Sequence, residues 1–528
     1  RVMAALRDYG AEHQGRNKPV LRPPEDETLR CLQESVGPDW ASNDPAILFT
    51  YADAPFPLAG PRMPRYVVLP GSPEQTAAVV RLARERQLPY IVRGNGGSVF
   101  GFVFSEGIVL ALNRMRRITV DPDNWTATVE AGVTSFELQK EVHRLGFRVN
   151  AAEPAATVCG NIVCTGIFST WSNTYGTAAD TFIDMEFVDR NGKLFRINDK
   201  SGPNTFAFEH AVLPAPGICT RAAVRLHPRT DDEEGMLIPF EDLDAAIVFA
   251  RDLARRRIGI ALAVLGSHYL ANFMSPDKNL AEELKTSIPD VLGVRFAVFV
   301  VADKYAREAI RSMAESVVDG HLFRTLMLGL PRLADPELRN VLRGLEGQRP
   351  AYEILCRPEM RSFVEAVLDP TPENIAGSVD EDLRPAYVKL YRRPEMTDMV
   401  WLNAFRIVSS RMSRRKHMFA FLIYLPIDSP ALVQEIIAGF GGIADAHGID
   451  HDYGFLTPLD MGKRAVLEYD YYIDHTDEGE KKKVAAAMPE LDPWLDGLAE
   501  TKGIMSIKYV FSQGCSRKEN FLYRSGLD

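Results

Sequence analysis

The segment Arg93-Gly94-Asn95-Gly96-Gly97-Ser98 closes a β-rich run, Leu88–Val92, with three glycines among polar side chains. Without Cβ atoms, successive backbone N–H groups can converge on an anion such as a diphosphate. The G-x-G-x-x-G dinucleotide pattern fails here. Val99 occupies its third glycine, and no long helix follows at once. Taken alone, the loop reads equally as a phosphate cradle or as a turn between strands. A second glycine-marked stretch, Glu153-Pro154-Ala-Ala-Thr157-Val-Cys159-Gly160-Asn161-Ile162, is followed by Gly166, Tyr175-Gly176 and Asp180. Gly217-Ile218-Cys219-Thr220 closes the series.

Further along, the chain offers groups able to hold or protonate a substrate. Tyr469, Tyr471, Tyr472 and His475 lie along one strand, where Tyr and His can donate to developing charge. Paired aromatics on a sheet more often pack. Arg392-Arg393 and Arg406 could clamp a carboxylate through two parallel hydrogen bonds, with surface ion pairing as the ordinary alternative. His447 and His451 have a spacing that chelates a metal on a helix, but Gly448 ends the helix between them, so no metal site is expected. The basic run Arg411–His417 reads as a solvated edge.

These residues need elements to position them. Ser72 caps a helix with Pro73 in its first turn, and Ala77, Val80 and Ala83 recur at helical spacing. Buried strands fall at 66–69, 88–92 and 107–112, and Thr126–Glu130 alternates before a capped helix over 135–145. Phe182–Val188 and Leu194–Ile197 form a hairpin about Asn191-Gly192. Beyond Pro228, strand-then-helix units recur at 294–318 and 419–447. The fold class is α+β. The divisions are 1–60 as a lead-in, 61–228 as a first domain, 229–500 as a cap, and 501–528 as a segment returning to the first domain.

In order and interval, the four glycine motifs resemble those of the vanillyl-alcohol oxidase / p-cresol methylhydroxylase flavoprotein superfamily, which includes glycolate oxidase and D-lactate dehydrogenase-like members. The resemblance covers about residues 60–228 and implies a two-subdomain FAD-binding domain plus a substrate cap. It implies FAD as cofactor, with Arg93, Gly94, Asn95, Gly96, Gly97 and Ser98 around the pyrophosphate. Pro154, Thr157, Gly160, Asn161, Gly166, Tyr175 and Gly176 would serve the flavin region, and Ile218 the adenine side. Cys159 departs from the family's usual glycine. Gly97 replaces the histidine that links flavin covalently in several relatives. His417 sits where the phenol-oxidising branch places an alternative linking histidine, and with Arg406 and Tyr471 it makes up the catalytic candidates.

The resemblance implies an FAD-linked oxidation of an alcohol, 2-hydroxy acid or alkylphenol-like carbon by hydride transfer. Electrons would pass to an iron–sulfur or other protein partner. The alternatives are an oxidase using O2 and a non-catalytic flavin-holding subunit.

Composition sets the outer bounds. The chain has 528 residues, and cores stop growing at roughly 250–300, so more than one domain is expected. A net charge of −10 disfavours nucleic acid as a partner. Six scattered cysteines form no C-x-x-C, which excludes the usual zinc-ribbon and iron–sulfur spacings and favours a reducing, cytoplasmic setting. No apolar run is long enough to span a membrane. Self-association is left open.

Overall fold

The computed structural model describes residues 26–52, 62–96, 105–150, 156–160, 168–176, 178–198, 217–274, 282, 285–286, 288–290, 294–320, 396, 417–474 and 477–506. Helix α1 (Glu27–Val36) begins at Asp26, whose side chain accepts from the Leu29 amide. It packs on a four-stranded sheet made of β1 (Ala41–Ser42), β2 (Tyr66–Val68), β3 (Tyr90–Arg93) and β4 (Ile108–Ala111), in the order β1-β2-β4-β3. The three longer strands are parallel and buried but for half-buried Val92, as near-continuous apolar runs require. Helix α2 (Pro73–Glu85) supplies the β2-to-β3 crossover and is capped by Ser72.

A five-stranded antiparallel sheet completes the first domain. It contains β5 (Ile118–Asp121), β6 (Thr126–Glu130), β8 (Phe182–Val188), β9 (Leu194–Asn198) and β10 (Ile218–Arg225), ordered β5-β6-β10-β8-β9. Helix α3 (Ser135–His143) starts from a Thr134–Glu137 capping box. Short strand β7 (Phe147–Arg148) pairs with β11 (His227–Pro228) at the domain edge. The β8–β9 hairpin is closed by Asp189, whose side chain accepts from the Asn191 and Lys193 amides.

The chain then crosses at 229–233 into an eight-stranded antiparallel sheet. Its strands are β12 (Glu234–Phe240), β13 (Ala261–Gly266), β14 (Phe296–Ala302), β15 (Val318–Gly320), β16 (His417–Pro426), β17 (Asp450–Leu459), β18 (Arg464–Ile473) and β19 (Met505–Ser506). They run in the order β15-β12-β14-β13-β17-β18-β16-β19. Strand β19 pairs with β16, so the cap sheet itself continues to Ser506. Residues 507–528, most of the segment expected to return to the first domain, lie outside the described ones.

One face of this sheet is covered by α5 (Leu243–Arg256), α8 (Pro430–His447) and α9 (Glu478–Lys502). The core between them includes Ile247, Leu253, Val264, Val298, Phe421, Phe440, Leu467 and Leu495. Two shorter cap helices, α6 (Ser267–Met274) and α7 (Lys304–Met313), follow β13 and β14. The opposite face of the sheet meets the first domain. Helix α4 (Ser172–Tyr175) packs against β13 and β17. Trp171 is buried among Ala261, Ala263, Leu265, Phe299 and Val301. Backbone ties fix this junction: Leu262 N–H donates to Thr170 O at 3.0 Å, and Gly462 N–H donates to Asn173 Oδ1 at 2.9 Å.

Candidate functional site

The two leading glycine motifs are brought together in space. Arg93 ends β3 fully packed, and Asn95 is buried one turn beyond it. A Cβ on Gly94 would collide with Thr157 Oγ1, and one on Gly160 would sit 2.6 Å from the same oxygen. Thr157 Oγ1 accepts from Gly160 N–H at 3.2 Å, while Thr157 bridges to Thr134 at the start of α3. Only glycine permits this approach, so the two glycine motifs are locked as one surface. Gly96 adopts φ +64°. Ile218 opens β10, fully buried against Val188. Gly97, Ser98, Pro154, Asn161 and Gly166 lie outside the described residues.

Tyr175 and Gly176 sit at the junction rather than in the loop. The Tyr175 ring stacks on His227 at 3.7 Å between centroids, and Gly176 O accepts from Asn150 Nδ2 at 3.0 Å. Burial and the neighbouring Arg148 push His227 down to about 4, so it is neutral near physiological pH. Arg148 is itself buried, ion-paired to buried Glu233 and placed over the Trp171 ring.

The cap-side candidates separate by strand parity. On β18, Leu467, Tyr469 and Tyr471 face the helix layer, and Glu468, Asp470 and Tyr472 lie on the opposite face of the sheet. Tyr471 is wholly buried, and its hydroxyl donates to Phe440 O at 2.8 Å. Burial raises its pKa further, which makes it a packing residue of the helix-side core. Tyr469 is likewise held there, hydrogen-bonded to His451 at 2.6 Å. His447 and His451 engage different carboxylates, Glu490 and Asp445. Among the described residues no three ligating side chains gather into a metal site. The backbone of His417 heads β16 opposite Ile473. Its side chain, Arg392, Arg393, Arg406 and His475 lie outside the described residues.

The domain-facing side of β18 holds what the sequence reading missed. Asp470 has no exposed surface, and Glu468 keeps 8%. The Tyr472 hydroxyl donates to Asp470 Oδ2 at 3.2 Å, and the Glu468 carboxyl is a second hydrogen-bonding neighbour of Asp470. Burial, with the nearby Asp452 charge, pushes Asp470 up to about 7. Gly454 makes the close packing possible, since a Cβ there would sit 2.8 Å from Asp470 Oδ2. At the outer edge His268 on α6 pairs with Asp452, the cross-strand neighbour of Asp470. Phe168, directly after the flavin-motif segment, packs edge-on to Tyr424 and tilted against Phe455. Phe455 is the register partner of Glu468, so Glu468 lies beside the strand position that Phe168 packs on. The signal was present in the sequence. Two carboxylates at i and i+2 within the apolar run Ala465–Ile473 must share one face and be buried there.

A family model described as an FAD binding domain matches residues 64–198. The chain is 29% identical over 229 residues to D-lactate dehydrogenase from Archaeoglobus fulgidus, covering 41% of this chain and 51% of that protein. It therefore spans about half the length of that curated relative. Its fold is similar to a 4-ethylphenol oxidase from Gulosibacter chungangensis, solved as an isoeugenol complex, with TM-score 0.59 and 18% identity over 90% of this chain and 87% of that one. A p-cresol methylhydroxylase with substrate bound is similar at TM-score 0.59 and 15% identity, covering 88% and 86%. The glycine-locked surface at Gly94, Thr157 and Gly160 fits the cofactor that this domain binds.

Proposed function

We propose, proceeding from the FAD-binding domain of the p-cresol methylhydroxylase superfamily that this chain carries, that the protein is an FAD-linked dehydrogenase or oxidase. Its substrate is an alcohol-type carbon held between that domain and the cap sheet. The observation that carries this reading is the Glu468–Asp470 pair, buried on the sheet face that borders Phe168. FAD, when bound, supplies the hydride acceptor. Arg93 to Gly96, Thr157 and Gly160 would hold it, with Ile218 at the other end of the motif series. Glu468 keeps a little exposed surface and is the group that would receive the substrate's hydroxyl proton. Asp470 acts through Glu468 as a positioning residue, held by Tyr472. The apolar wall of Phe168, Tyr424 and Phe455 excludes water from one side.

The purified protein should be yellow and release free FAD on denaturation. Gly94→Val should lose the flavin while keeping the far-ultraviolet circular dichroism of the wild type, because its side chain would drive Thr157 off the surface. Full FAD content in a folded Gly94→Val protein would remove the loop from the cofactor site.

A further inference from the structure

Resting on the reading that the second glycine motif serves the flavin, we propose that Asn150 is a positioning residue for the cofactor. Its side-chain amide clasps the residues that flank this motif and ties them to the domain seam. Asn150 lies two residues beyond β7, on the amino-terminal side of the motif, and Ser169 lies on the carboxy-terminal side. Although 19 positions apart, they meet: Ser169 Oγ donates to Asn150 Oδ1 at 2.8 Å. Asn150 Nδ2 donates to Gly176 O at 3.0 Å and to Thr181 Oγ1 at 3.2 Å. Asn150 and Ser169 are both buried. One side chain thus gathers Ser169 beside Phe168, Gly176 of the Tyr-Gly pair, and Thr181 just before β8.

The hydrogen bonds continue to the cap. Ser169 Oγ also accepts from Trp171 N–H at 3.1 Å, and Ser172 Oγ accepts from Ser169 N–H at 2.7 Å. Trp171 is the ring that β13 and β14 enclose, and its neighbour Thr170 accepts from Leu262 N–H. Asn150 therefore holds the second motif and the cap sheet in one register. The chemistry of the place selects an amide. It donates twice through Nδ2 and accepts through Oδ1, whereas a carboxylate only accepts and would be repelled by Gly176 O. Truncation to alanine removes all three hydrogen bonds from a buried place, where they are costly to lose.

FAD-loaded enzyme provides the test, read on the flavin itself. Release of FAD on dilution is followed by the rise in free-flavin fluorescence, and flavin-band circular dichroism reports how firmly the ring is held. Asn150→Ala should release FAD at least about tenfold faster than wild type and lose flavin-band dichroism, with far-ultraviolet dichroism unchanged. A folded Asn150→Ala chain that retains no FAD is the extreme of the same result. Ser169→Ala removes one of the hydrogen bonds and should shift both readouts the same way by less; it decides alone if Asn150→Ala fails to fold. Leu253→Ala hollows the helix-side core of the cap without touching the clasp, so it should lower stability yet leave both readouts near wild type. Wild-type release and dichroism in the folded clasp variants, equal changes in Leu253→Ala, or failure of both clasp variants to fold would overturn the inference and leave Asn150 a structural residue. A wild-type chain that holds no FAD would instead sink the flavin reading on which it rests.

Discussion

At the scale of the residue, Asp470 has a consequence for stability that carries a definite sign. Its folded pKa, about 7, lies above the ordinary 3.8, so the folded chain holds more protons than the unfolded chain between those values. The contribution is therefore fully present below pH 3.8 and is lost as pH rises through about 7. Thermal unfolding of wild type measured against Asp470→Asn should show a wild-type advantage that declines from pH 4 to pH 7.5. A difference independent of pH would contradict the raised pKa. The sequence displayed this residue without revealing its role. The aromatic residues Tyr469 and Tyr471 drew attention on β18, yet their parity turns them to the helices. Glu468 and Asp470 turn to the other face, and which face meets which layer is a tertiary fact. The glycine motifs stood out in the sequence by composition, but what demands glycine at Gly94 is tertiary: a Cβ there is excluded by Thr157 of the second motif.

At the scale of the element, the junction between β7, β11 and β12 rests on a buried ion pair that no sequence pattern announces. Arg148 and Glu233 are 85 positions apart, and both are removed from water. Glu233 also accepts from Thr230 N–H at 2.9 Å, which fixes the crossing between the domains. Replacing one partner leaves the other charge buried alone, at a cost of about 3–5 kcal/mol. Arg148→Met should therefore lower unfolding free energy by about that amount in urea titrations, and adding Glu233→Gln should restore part of it. A loss near zero for Arg148→Met would show that water reaches Glu233. The strands themselves were legible, since β2, β4 and β10 are apolar runs stopped by turn residues. The cap's edge at β19 was not, because two residues carry no periodicity and only pairing with Ile423 and Tyr424 defines them.

At the scale of the whole molecule, the first domain and the cap sheet meet at one seam, where Trp171 packs on β13 and β14. On the reading proposed above, the acceptor that reoxidises the flavin is the open half of the reaction. We expect substrate-reduced enzyme to reoxidise slowly in air and rapidly with an acceptor dye in stopped-flow measurements; fast stoichiometric peroxide formation would instead make it an oxidase. The central claim is that the cap carboxylate and the flavin act on one substrate across this seam. The measurement that tests it most directly is anaerobic flavin reduction by an alcohol substrate in Glu468→Gln, with FAD occupancy matched to wild type. Loss of a positioned proton acceptor should slow the bleaching by about 10²–10⁴-fold while leaving the bound flavin spectrum intact. Bleaching at the wild-type rate would contradict the account.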